Sequence, residues 1–407
     1  ISLFLVLFRL LKATVMYSQD GHPETNFRIV PVSPNAASLG TYGLIPTDNY
    51  VGQARISIPI YEIDLDGKKF PIALSYHTDG TRVAQEATWI GLGWTLQAGG
   101  CVVRQVQGTD DFAARGCYNL TDAPWLTNPR FEVTDQNLEK YMGYFKGDYD
   151  AEPDMFYFNA GGHSGSMYFD VLKNNRQLNA VPTIQTQEKV VKMVYNTSNK
   201  TWTMTDLEGY VYSFSTKEIT YYFLNTIDFF QTDITRSHIF PYYNEPQIVT
   251  AWMLDSVTSP NGGKITFSYK KESIFTPIST TEDVISLSKI VNGQLSSQSP
   301  QYFTNKFNYN YSYSKIEQWT LSAITFEGGK VEFGTTDRED IESAETGKKV
   351  QKLSSIKVSD TAGNLIKTTM LEYKYLLSGM AATTNGYDDR LLLSKVYDVA
   401  GSKKNNV

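Results

Sequence analysis

Apolar and polar residues alternate along two neighbouring stretches near the start of the chain, at residues 54–63 and 70–76. A period of two places the apolar side chains of a strand on one face. The dipeptide Asp66–Gly67 between them is typical of a tight hairpin turn. The pattern therefore predicts an antiparallel hairpin with one buried face. Because Pro59 and Pro71 have no N–H to donate, we expect these strands to lie at a sheet edge or to direct those positions outward.

A glycine-rich stretch follows, in which Trp89 and Trp94 flank Gly91 and Gly93. Glycine allows another backbone to pass closely, and the bulky rings on either side supply apolar packing area. We therefore expect a packing corner here, followed by a strand at 101–106.

Two further hairpins are indicated downstream. One surrounds Gly161, Gly162 and Gly165, and the other turns at Glu208–Gly209, each between short runs rich in aromatic and β-branched residues. Strand therefore follows strand at short intervals.

Helical signals are sparse along the chain. Apolar residues at helical spacing over 134–147 predict one surface helix. The aromatic-rich segment 217–250 fits neither period clearly and leaves a helix near 218–230 open as an alternative to a strand. The expected class is all-β and mainly antiparallel, with one or two short surface helices.

A self-similar unit recurs in the second half of the chain. It begins at Leu254, Leu321, Leu353 and Leu393, and in each copy a β-branched residue follows three positions later and a glycine-containing turn comes after it. The first three copies then show an alternating return strand. The unit is therefore a β-hairpin.

The copies begin 67, 32 and 40 residues apart, so insertions separate the hairpins and the repeat has no fixed period. A lone hairpin is only marginally stable in water, so each copy must pack its apolar face on its neighbours. We expect stacked hairpins that form a wound sheet or a partial shell. The fourth copy shows a turn and no return strand before residue 407, which suggests that the natural chain continues.

The pattern divides the chain into four parts. Residues 1–19 open with an eight-residue apolar run of signal-peptide length, interrupted soon afterwards by Arg9 and Lys12. They are read as a signal peptide or its remnant, with a buried or amphipathic terminal segment as the alternative. The other parts are an extended lead-in over the surface at 20–50, an N-terminal β-rich domain at 51–250 and a hairpin-repeat region at 251–407.

The aromatic content agrees with a β-protein, and the net charge limits the classes of partner it can bind. The chain has 27 Tyr and 21 Phe, residues that favour pleated, half-buried surfaces. A net charge of −6 provides no basic field for nucleic acid. Cys101 and Cys117 are compatible with one disulfide in an oxidising compartment and equally with two thiols. The four histidines and two cysteines show no zinc-ligand spacing.

Several of these stretches, taken in order, resemble a known family. They are PNAASLGTYG, GQARISIPIYEID, FPIALSYHTDGTRV, WIGLGWTLQAGG, EPDMFYFNAGGHSGSMYFD, LDSVTSPNGG and LSSIKVSD. Together they look like the N-terminal region of large RHS/YD-repeat proteins of Bacteroidota, from about residue 34 onward. The first hairpin and the GLGW motif also resemble, more distantly, toxin-complex B components and the Salmonella virulence-plasmid B family.

The resemblance implies an exported protein, at the cell surface or extracellular, whose repeats wind into a hollow β-shell around a C-terminal polymorphic-toxin domain. Its implied partners are further C-terminal repeats or an effector domain of the same polypeptide. The chain departs from the family pattern because its 407 residues show neither a YD-repeat array in quantity nor an effector domain. The encapsulating role is therefore in doubt for this chain alone.

Two motifs carry candidate chemistry. The stretch GHSGS around Ser164 superficially resembles a nucleophile elbow, but it joins two predicted strands and lacks the second glycine at the required spacing. The alternating acids Asp148, Asp150, Glu152 and Asp154 offer hard oxygens to calcium, although Pro153 interrupts them and they match no EF-hand, which favours a solvated or capping role.

The sequence therefore predicts no catalytic, cofactor-binding or metal-binding residues and no enzyme activity. The leading hypothesis is a structural β-shell module of an exported RHS/YD-like surface or toxin-associated protein. One alternative is a surface adhesin or carbohydrate-binding β-protein, because Tyr-rich strands could stack on sugars, although alternating Tyr more often serves cross-strand packing. A hydrolase is the other alternative. We expect contact with a membrane only through export, and a cell-surface or glycan partner remains open.

Overall fold

The structure is a computed structural model. It describes residues 31–36, 39, 56–77, 85–108, 110–113, 116–118, 150, 152–170, 181–185, 191–227, 234, 236–241, 247–286, 290–291, 294–295, 305–376 and 389–399. Most of these residues lie in antiparallel strands and very few lie in a helix, which confirms the predicted fold class. The predicted helix at 134–147 and the signal-peptide segment 1–19 lie outside the described residues.

The first three strands form a small sheet in the order β1-β2-β3. They are β1 (Ile56–Leu65), β2 (Lys68–Tyr76) and β3 (Trp94–Gln97). Asp66 and Gly67 both have positive φ, at 52° and 91°, as a two-residue hairpin turn requires. The predicted first hairpin and its turn are therefore confirmed.

Both prolines of this hairpin are exposed. Residue His77 donates its N–H to the carbonyl of Gly93 at 2.8 Å, which fixes the alternation along β2. By that alternation, the nitrogen of Pro71 points away from β1, toward the side of β2 on which β3 has already ended. The nitrogen of Pro59 likewise points away from β2. Each proline thus occupies an outward position on an unpaired edge, as expected, where it blocks the addition of another strand.

The large sheet has 16 strands. Its first members are β4 (Gly100–Gln105), β5 (Met155–Ala160), β6 (His163–Tyr168), β7 (Thr183–Ile184), β8 (Val191–Asn196), β9 (Thr201–Asp206), β10 (Val211–Ile227) and β11 (Phe240–Pro241). They are followed by β12 (Ile248–Thr258), β13 (Lys264–Phe275), β14 (Ser279–Ser286), β17 (Asn305–Phe326), β18 (Gly329–Asp337), β19 (Gln351–Ser359), β20 (Leu365–Leu376) and β21 (Arg390–Val399).

Two short elements complete the described chain. Strands β15 (Ile290–Val291) and β16 (Gln294–Leu295) form a separate two-stranded sheet. A 3-10 helix spans Arg236–His238. Among the described residues, none forms a helix of the length and apolar character needed to cross a membrane.

The main path of the large sheet runs β21-β20-β19-β18-β17-β10-β12-β4-β5-β6-β7, and β13 bridges β12 and β17. The predicted repeat hairpins are therefore real neighbours: β12–β13, β17–β18 and β19–β20 are consecutive antiparallel pairs, and β21 continues them. The proposed boundary between residues 250 and 251 falls inside β12, and β10 pairs on both sides of it. The sheet is continuous across both halves of the chain.

Each repeat contains a β-bulge one residue after its leucine. The strand register skips one residue in every copy, so that Asp255, Ser322, Ser354 and Ser394 have no cross-strand partner. The three serine hydroxyls donate to the carbonyls of Ser268, Gly334 and Glu372, at distances of 2.9, 3.1 and 3.0 Å. The bulged position is thus the polar residue that follows each repeat leucine.

The bulge explains the spacing of the repeat. In a regular strand, residues three positions apart point to opposite faces, but one inserted residue brings both to the same face. Leu353 and Ile356 are both fully buried in the main core, as are Leu254 and Val257. The four repeats therefore present two apolar side chains each to one face of the sheet.

The main core lies between the two sheets. Small-sheet residues such as Ile63, Ile72 and Leu74 pack with the repeat residues and with a dense group of aromatic rings. The aromatic members with the least exposure are Phe156, Phe158, Phe169, Tyr195, Trp202, Tyr212, Phe214 and Trp252. The small sheet therefore covers one face of the large sheet and fills the space against it.

The opposite face of the large sheet is covered in part by residues 31–36 and 39. Ser33 caps a helical turn by accepting the Ala36 N–H at 3.1 Å, and both residues are completely buried. Ala36 packs on Cys101 and Met253 in a second apolar cluster. Within the described part of the 20–50 lead-in, residues 34–36 therefore form a helical turn, and Ser33 and Ala36 anchor it in the sheet, while its other described residues are half-buried.

The structure also determines the conformation of part of the segment 217–250, for which the sequence left helix and strand open. Strand β10 runs through to Ile227, so residues 218–227 are extended and not helical. Pairing with β17 explains this, because Ile219 to Ile227 all have a cross-strand partner there. The long-range ladder decides the conformation that the local pattern left open.

Candidate functional site

The GLGW corner joins the small sheet to the repeats by main-chain hydrogen bonds. The carbonyl of Trp89 accepts the N–H of Leu353 at 2.9 Å, and Leu92 donates to the carbonyl of Leu391 at 2.8 Å. Gly91 has a φ of +117°, and a Cβ there would approach the nitrogen of Leu393 to 2.9 Å. The predicted close backbone passage is confirmed, and its partners are repeat leucines.

A buried ion pair reinforces the same corner. Arg338 binds Asp340 at 2.7 Å, and both side chains are almost fully buried. The guanidinium also donates to the carbonyls of Thr88 and Ala87 at 3.0 and 3.2 Å. Asp340 in turn accepts the N–H of Leu391 at 3.1 Å. The ion pair therefore holds the 87–92 segment against the end of β18 and the start of β21.

A second charged group lies where hairpin turns of the two sheets meet. Asp206 accepts the N–H groups of Glu208 and Tyr210 at 3.0 and 2.9 Å, which forms the β9–β10 turn. Its other oxygen accepts Lys68 Nζ at 2.5 Å and the Tyr212 hydroxyl at 3.1 Å. Because Lys68 belongs to β2, this ion pair connects the small sheet to the large one.

Electrostatics favour the charged forms of that pair. Burial opposes ionisation, but the hydrogen bonds from Lys68 and Tyr210 outweigh it and lower the pKa of Asp206. The same carboxylate, with Glu208, raises the pKa of Lys68 despite burial. Burial and the Lys68 charge lower the pKa of His163, whose Nε2 lies 3.7 Å from Asp206. The neighbouring imidazole is therefore neutral at neutral pH.

Two further contacts tie the same turns together. Ser259 donates its hydroxyl to Asp66 and accepts the N–H of Gly263 at 3.0 Å. The Tyr210 hydroxyl donates to the carbonyl of Leu65 at 3.0 Å. The turns of three hairpins, β1–β2, β9–β10 and β12–β13, are thus joined by side-chain hydrogen bonds.

The third charged group centres on Arg104 of β4. The guanidinium binds Asp110 and Asp154, and its carbon lies 4.7 Å from the ring centre of Phe112. Asp154 also accepts the N–H of Gln107 at 2.7 Å, and its own N–H donates to Asp111 at 2.6 Å. The side chains of Arg104 and Asp154 are almost completely buried, so this group anchors Gln107 and Asp110–Asp111 to β4 and to the start of β5.

Asp111 is the member of this group that stays protonated. Burial and the nearby Asp154 carboxylate raise its pKa to about 9. Its Oδ1 and the Tyr118 hydroxyl are both buried. Two carboxyl groups this close cannot both ionise in a buried site, so Asp154 carries the charge that Arg104 neutralises.

These contacts show the roles of the described acidic residues in the series considered as a calcium site. Asp154 is held by Arg104, Asp150 accepts the N–H of Glu152 at 2.9 Å as a turn residue, and the Glu152 side chain is exposed. Asp148 lies outside the described residues. Within the described ranges, no three His, Cys, Asp or Glu side chains are grouped to hold a metal ion. The described acids serve as ion-pair and turn residues.

The other candidates also have structural roles. Ser164 lies within β6, opposite Asn159 of β5, and the turn of that hairpin is Gly161–Gly162, with Gly165 inside the strand. The hairpin is confirmed, and the strand-to-helix geometry of a nucleophile elbow is not present there. Cys101 and Cys117 belong to different apolar clusters, and no disulfide joins them.

Sequence reasoning did not single out Lys68, Arg104, Asp206 or Arg338. Each is a common residue type in an ordinary strand or turn, and at least one of its partners lies far away along the chain. One local signal was present, because Asp206 precedes Gly209 by three residues, which is typical of a side-chain-capped turn.

A cleft of about 280 Å³ opens between the two sheets. Its walls come from the unpaired part of β2, the end of β3, the turn that leads into β4 and residues of β13. Phe70 and Phe267 contribute rings, and Gln97 and Asn159 contribute carboxamides. A neighbouring cavity, which shares Leu39, Thr95 and Ala98 with it, measures about 40 Å³.

Neither family models nor curated proteins match the chain. Among solved structures, the chain is similar to the N-terminal domain of the effector protein SpvB from Salmonella typhimurium strain LT2, with 11% identity and a TM-score of 0.37 over 85% of this chain and 98% of that one. It is also similar to TcdB2-TccC3, with 9% identity and a TM-score of 0.37 over 91% of this chain and 16% of that one.

A third likeness is to the Photorhabdus luminescens Tc holotoxin pore, with 10% identity and a TM-score of 0.37 over 91% of this chain. The chain spans 15% of the length of that structure's chain. At this level of identity and superposition, these likenesses do not define the activity of the chain.

Proposed function

We propose that this chain is a non-catalytic wall module of an exported, toxin-associated protein of the RHS/YD-repeat kind. The observation that carries the proposal is the repeated hairpin: four copies with a bulge at the same position stand side by side in one continuous sheet. Such a unit is extended by adding hairpins at its end, which is how a wall is built.

The arrangement of charge supports a structural role. Buried Arg104, Arg338 and the Lys68–Asp206 pair each bind backbone carbonyls or carboxylates of neighbouring segments. A group that acts on a substrate must be within hydrogen-bond reach of that substrate. These side chains instead hold loops and sheets together, which supports a module without chemistry of its own.

The end of the repeat sheet supports a partner of the same kind. The GLGW corner covers the start of β21, but Tyr397 and Val399 near its end are 36% and 45% exposed. Among the described residues of β21 there is no proline, in contrast to the edges of β1 and β2. Further hairpins of the same polypeptide are the proposed occupants of this edge, with an effector domain beyond them.

The test is to isolate the protein from the cells that produce it, using an antibody raised against the repeat region 321–358. We expect mass spectrometry to find a polypeptide well above 45.9 kDa that contains further hairpin units after residue 407. We also expect external protease to remove it from intact cells, or the culture medium to contain it, because export is part of the proposal.

An intracellular polypeptide that ends at Val407 would contradict the proposal. So would turnover of ester, glycoside or peptide substrates by the purified chain that disappears when a single polar residue is replaced. Turnover that survives every such replacement would indicate a contaminant and leave the wall role standing.

A further inference from the structure

The cleft between the sheets is built differently from the charged groups, because its walls combine apolar rings with uncharged polar groups. Phe70 and Phe267 lie among aliphatic side chains, and the carboxamides of Gln97 and Asn159 line the same space. Gln97 makes no side-chain hydrogen bond to the rest of the described chain. Its amide therefore has both donor and acceptor capacity to offer a ligand.

The described lining carries no unpaired charge that would attract an ion. Lys69 is its one charged residue, and its ammonium group is paired with Asp64 at 2.8 Å and Glu62 at 3.4 Å. A phosphate, carboxylate or cationic ligand would find no unpaired counter-charge among these residues. The lining therefore favours a neutral ligand.

The cleft also gives access to main-chain polar groups. Glycines Gly99, Gly161 and Gly162 form part of its wall, and a Cβ at Gly162 would meet nothing within 4 Å. The carbonyl of Pro71 faces the same unpaired edge of β2. Backbone carbonyls and side-chain amides are the usual partners of hydroxyl groups in small-molecule sites.

We propose that this cleft binds a single neutral sugar ring, of the hexose class, within a glycan. A sugar ring has one apolar C–H face that can pack on Phe70 or Phe267 and a rim of hydroxyls that can bind Gln97 and the backbone. The volume of about 280 Å³ lies just below the range for small-molecule sites, ~300–1000 Å³, so one ring fits better than an extended chain.

An extended peptide is the competing occupant, and Pro71 argues against it. A peptide added to the free edge of β2 would need the N–H at that position, which proline lacks. The proposal does not depend on the wall function, since a sugar site could serve a module of either an exported wall or a separate adhesin.

The experiment is saturation-transfer NMR of the full chain with a panel of neutral hexoses and N-acetylhexosamines. We expect transfer to the ring protons of at least one sugar. Replacing Gln97 by alanine should weaken its binding roughly two- to tenfold, the size of one neutral hydrogen bond. The matched control is Gln105→Ala, at the end of β4 and outside the cleft, which should bind as the parent does.

A second variant guards against misfolding of the first. Phe70 is half-buried, and Phe70→Leu keeps an apolar side chain branched at Cγ while it removes the ring face. We expect it to keep a cooperative melting transition, at a somewhat lower temperature because the ring also packs near Tyr210 and Tyr212, and to weaken sugar binding. The proposal is overturned if no sugar shows transfer at high millimolar concentration, if Gln97→Ala and Gln105→Ala bind alike, or if an unstructured peptide displaces the sugar from the cleft.

Discussion

At the scale of single residues, the buried carboxyls determine how the stability of this protein depends on pH. The pKa of Asp111 is raised to about 9 by burial and by the Asp154 carboxylate. The folded state therefore holds a proton that the unfolded chain loses at about pH 4. Its contribution to stability is fully present below that pH and is lost as the pH rises through about 9.

Asp111→Asn should remove this dependence. Asparagine keeps the acceptor for the Asp154 N–H and is neutral at every pH, so we expect a gain in the free energy of unfolding of roughly 1 to 3 kcal/mol at about pH 8 and a smaller gain at about pH 5. Urea denaturation at the two pH values measures it. Asp110→Asn is the control, since it removes a charge paired with Arg104 and should destabilise. Equal losses from both variants would refute the protonated state of Asp111.

Substitutions at the two adjacent glycines of the β5–β6 turn distinguish the cost of backbone strain from the cost of a steric clash. Both have positive φ, at 59° and 84°. A Cβ at Gly161 would approach the Tyr212 hydroxyl oxygen to 2.2 Å, whereas at Gly162 it would meet nothing within 4 Å. The two positions therefore share the strain and differ in the clash.

Gly162→Ala should cost about 1 kcal/mol, the penalty of a left-handed backbone for alanine. Gly161→Ala should cost at least about 2 kcal/mol more, because the fully buried Tyr212 must move and loosen its bond to Asp206. Thermal denaturation of both variants provides the comparison. If the two melt together, Tyr212 does not limit the space at this turn.

At the scale of elements, the repeated bulge gives the hairpins their two-residue apolar contact. In the third repeat, Ser354 is the inserted residue, and Leu353 and Ile356 on either side of it are both buried. Its hydroxyl donates to Gly334, so it also satisfies a carbonyl that the bulge disturbs. The side chain and the extra backbone unit thus have separate effects.

Ser354→Ala should cost only about 0.5 to 1.5 kcal/mol, since it removes one hydrogen bond. Deleting Ser354 should prevent stable folding, because a one-residue slip moves Leu353 to the other face of the sheet. Circular dichroism and urea denaturation distinguish the two results. A deletion variant that folds with the stability of Ser354→Ala would show that the bulge does not set the face.

At the scale of the whole molecule, the small sheet is held on the large one by apolar packing and by the Lys68–Asp206 pair. Lys68 is mostly buried, and its neighbour Lys69 is 56% exposed and pairs with acids of its own hairpin. Replacing each lysine in turn therefore compares an ion pair between the two sheets with an ion pair within one hairpin.

Lys68→Met should destabilise by roughly 2 to 4 kcal/mol near neutral pH, because it leaves the buried Asp206 carboxylate without its cation. Lys69→Met should change stability by less than about 1 kcal/mol. Because the pKa of Asp206 is lowered, the Lys68 contribution is present above about pH 4 and is lost as the pH falls through the folded-state value. Similar losses from both variants would rule out a special role for the inter-sheet pair.

The sequence by itself determined the fold class, the first hairpin and the four repeats, because period-two alternation and turn dipeptides such as Asp66–Gly67 are local signals. It also indicated the close passage at Gly91 but not the leucines that approach it. The extended state of residues 218–227 was not readable, because β17, some ninety residues away, supplies the pairing. Long-range ladders override weak local preference.

Only the tertiary structure decided the roles of the charged residues and the cleft. The sequence favoured a solvated or capping role for Asp154, with calcium binding as the alternative, and only the structure shows that Arg104, fifty residues earlier, is bound to it. Lys68 and Asp206 meet because two sheets pack face to face, and the cleft exists because β3 is shorter than β2. Side-chain periodicity depends only on neighbouring residues, whereas ion pairs and cavities depend on which distant segments come together.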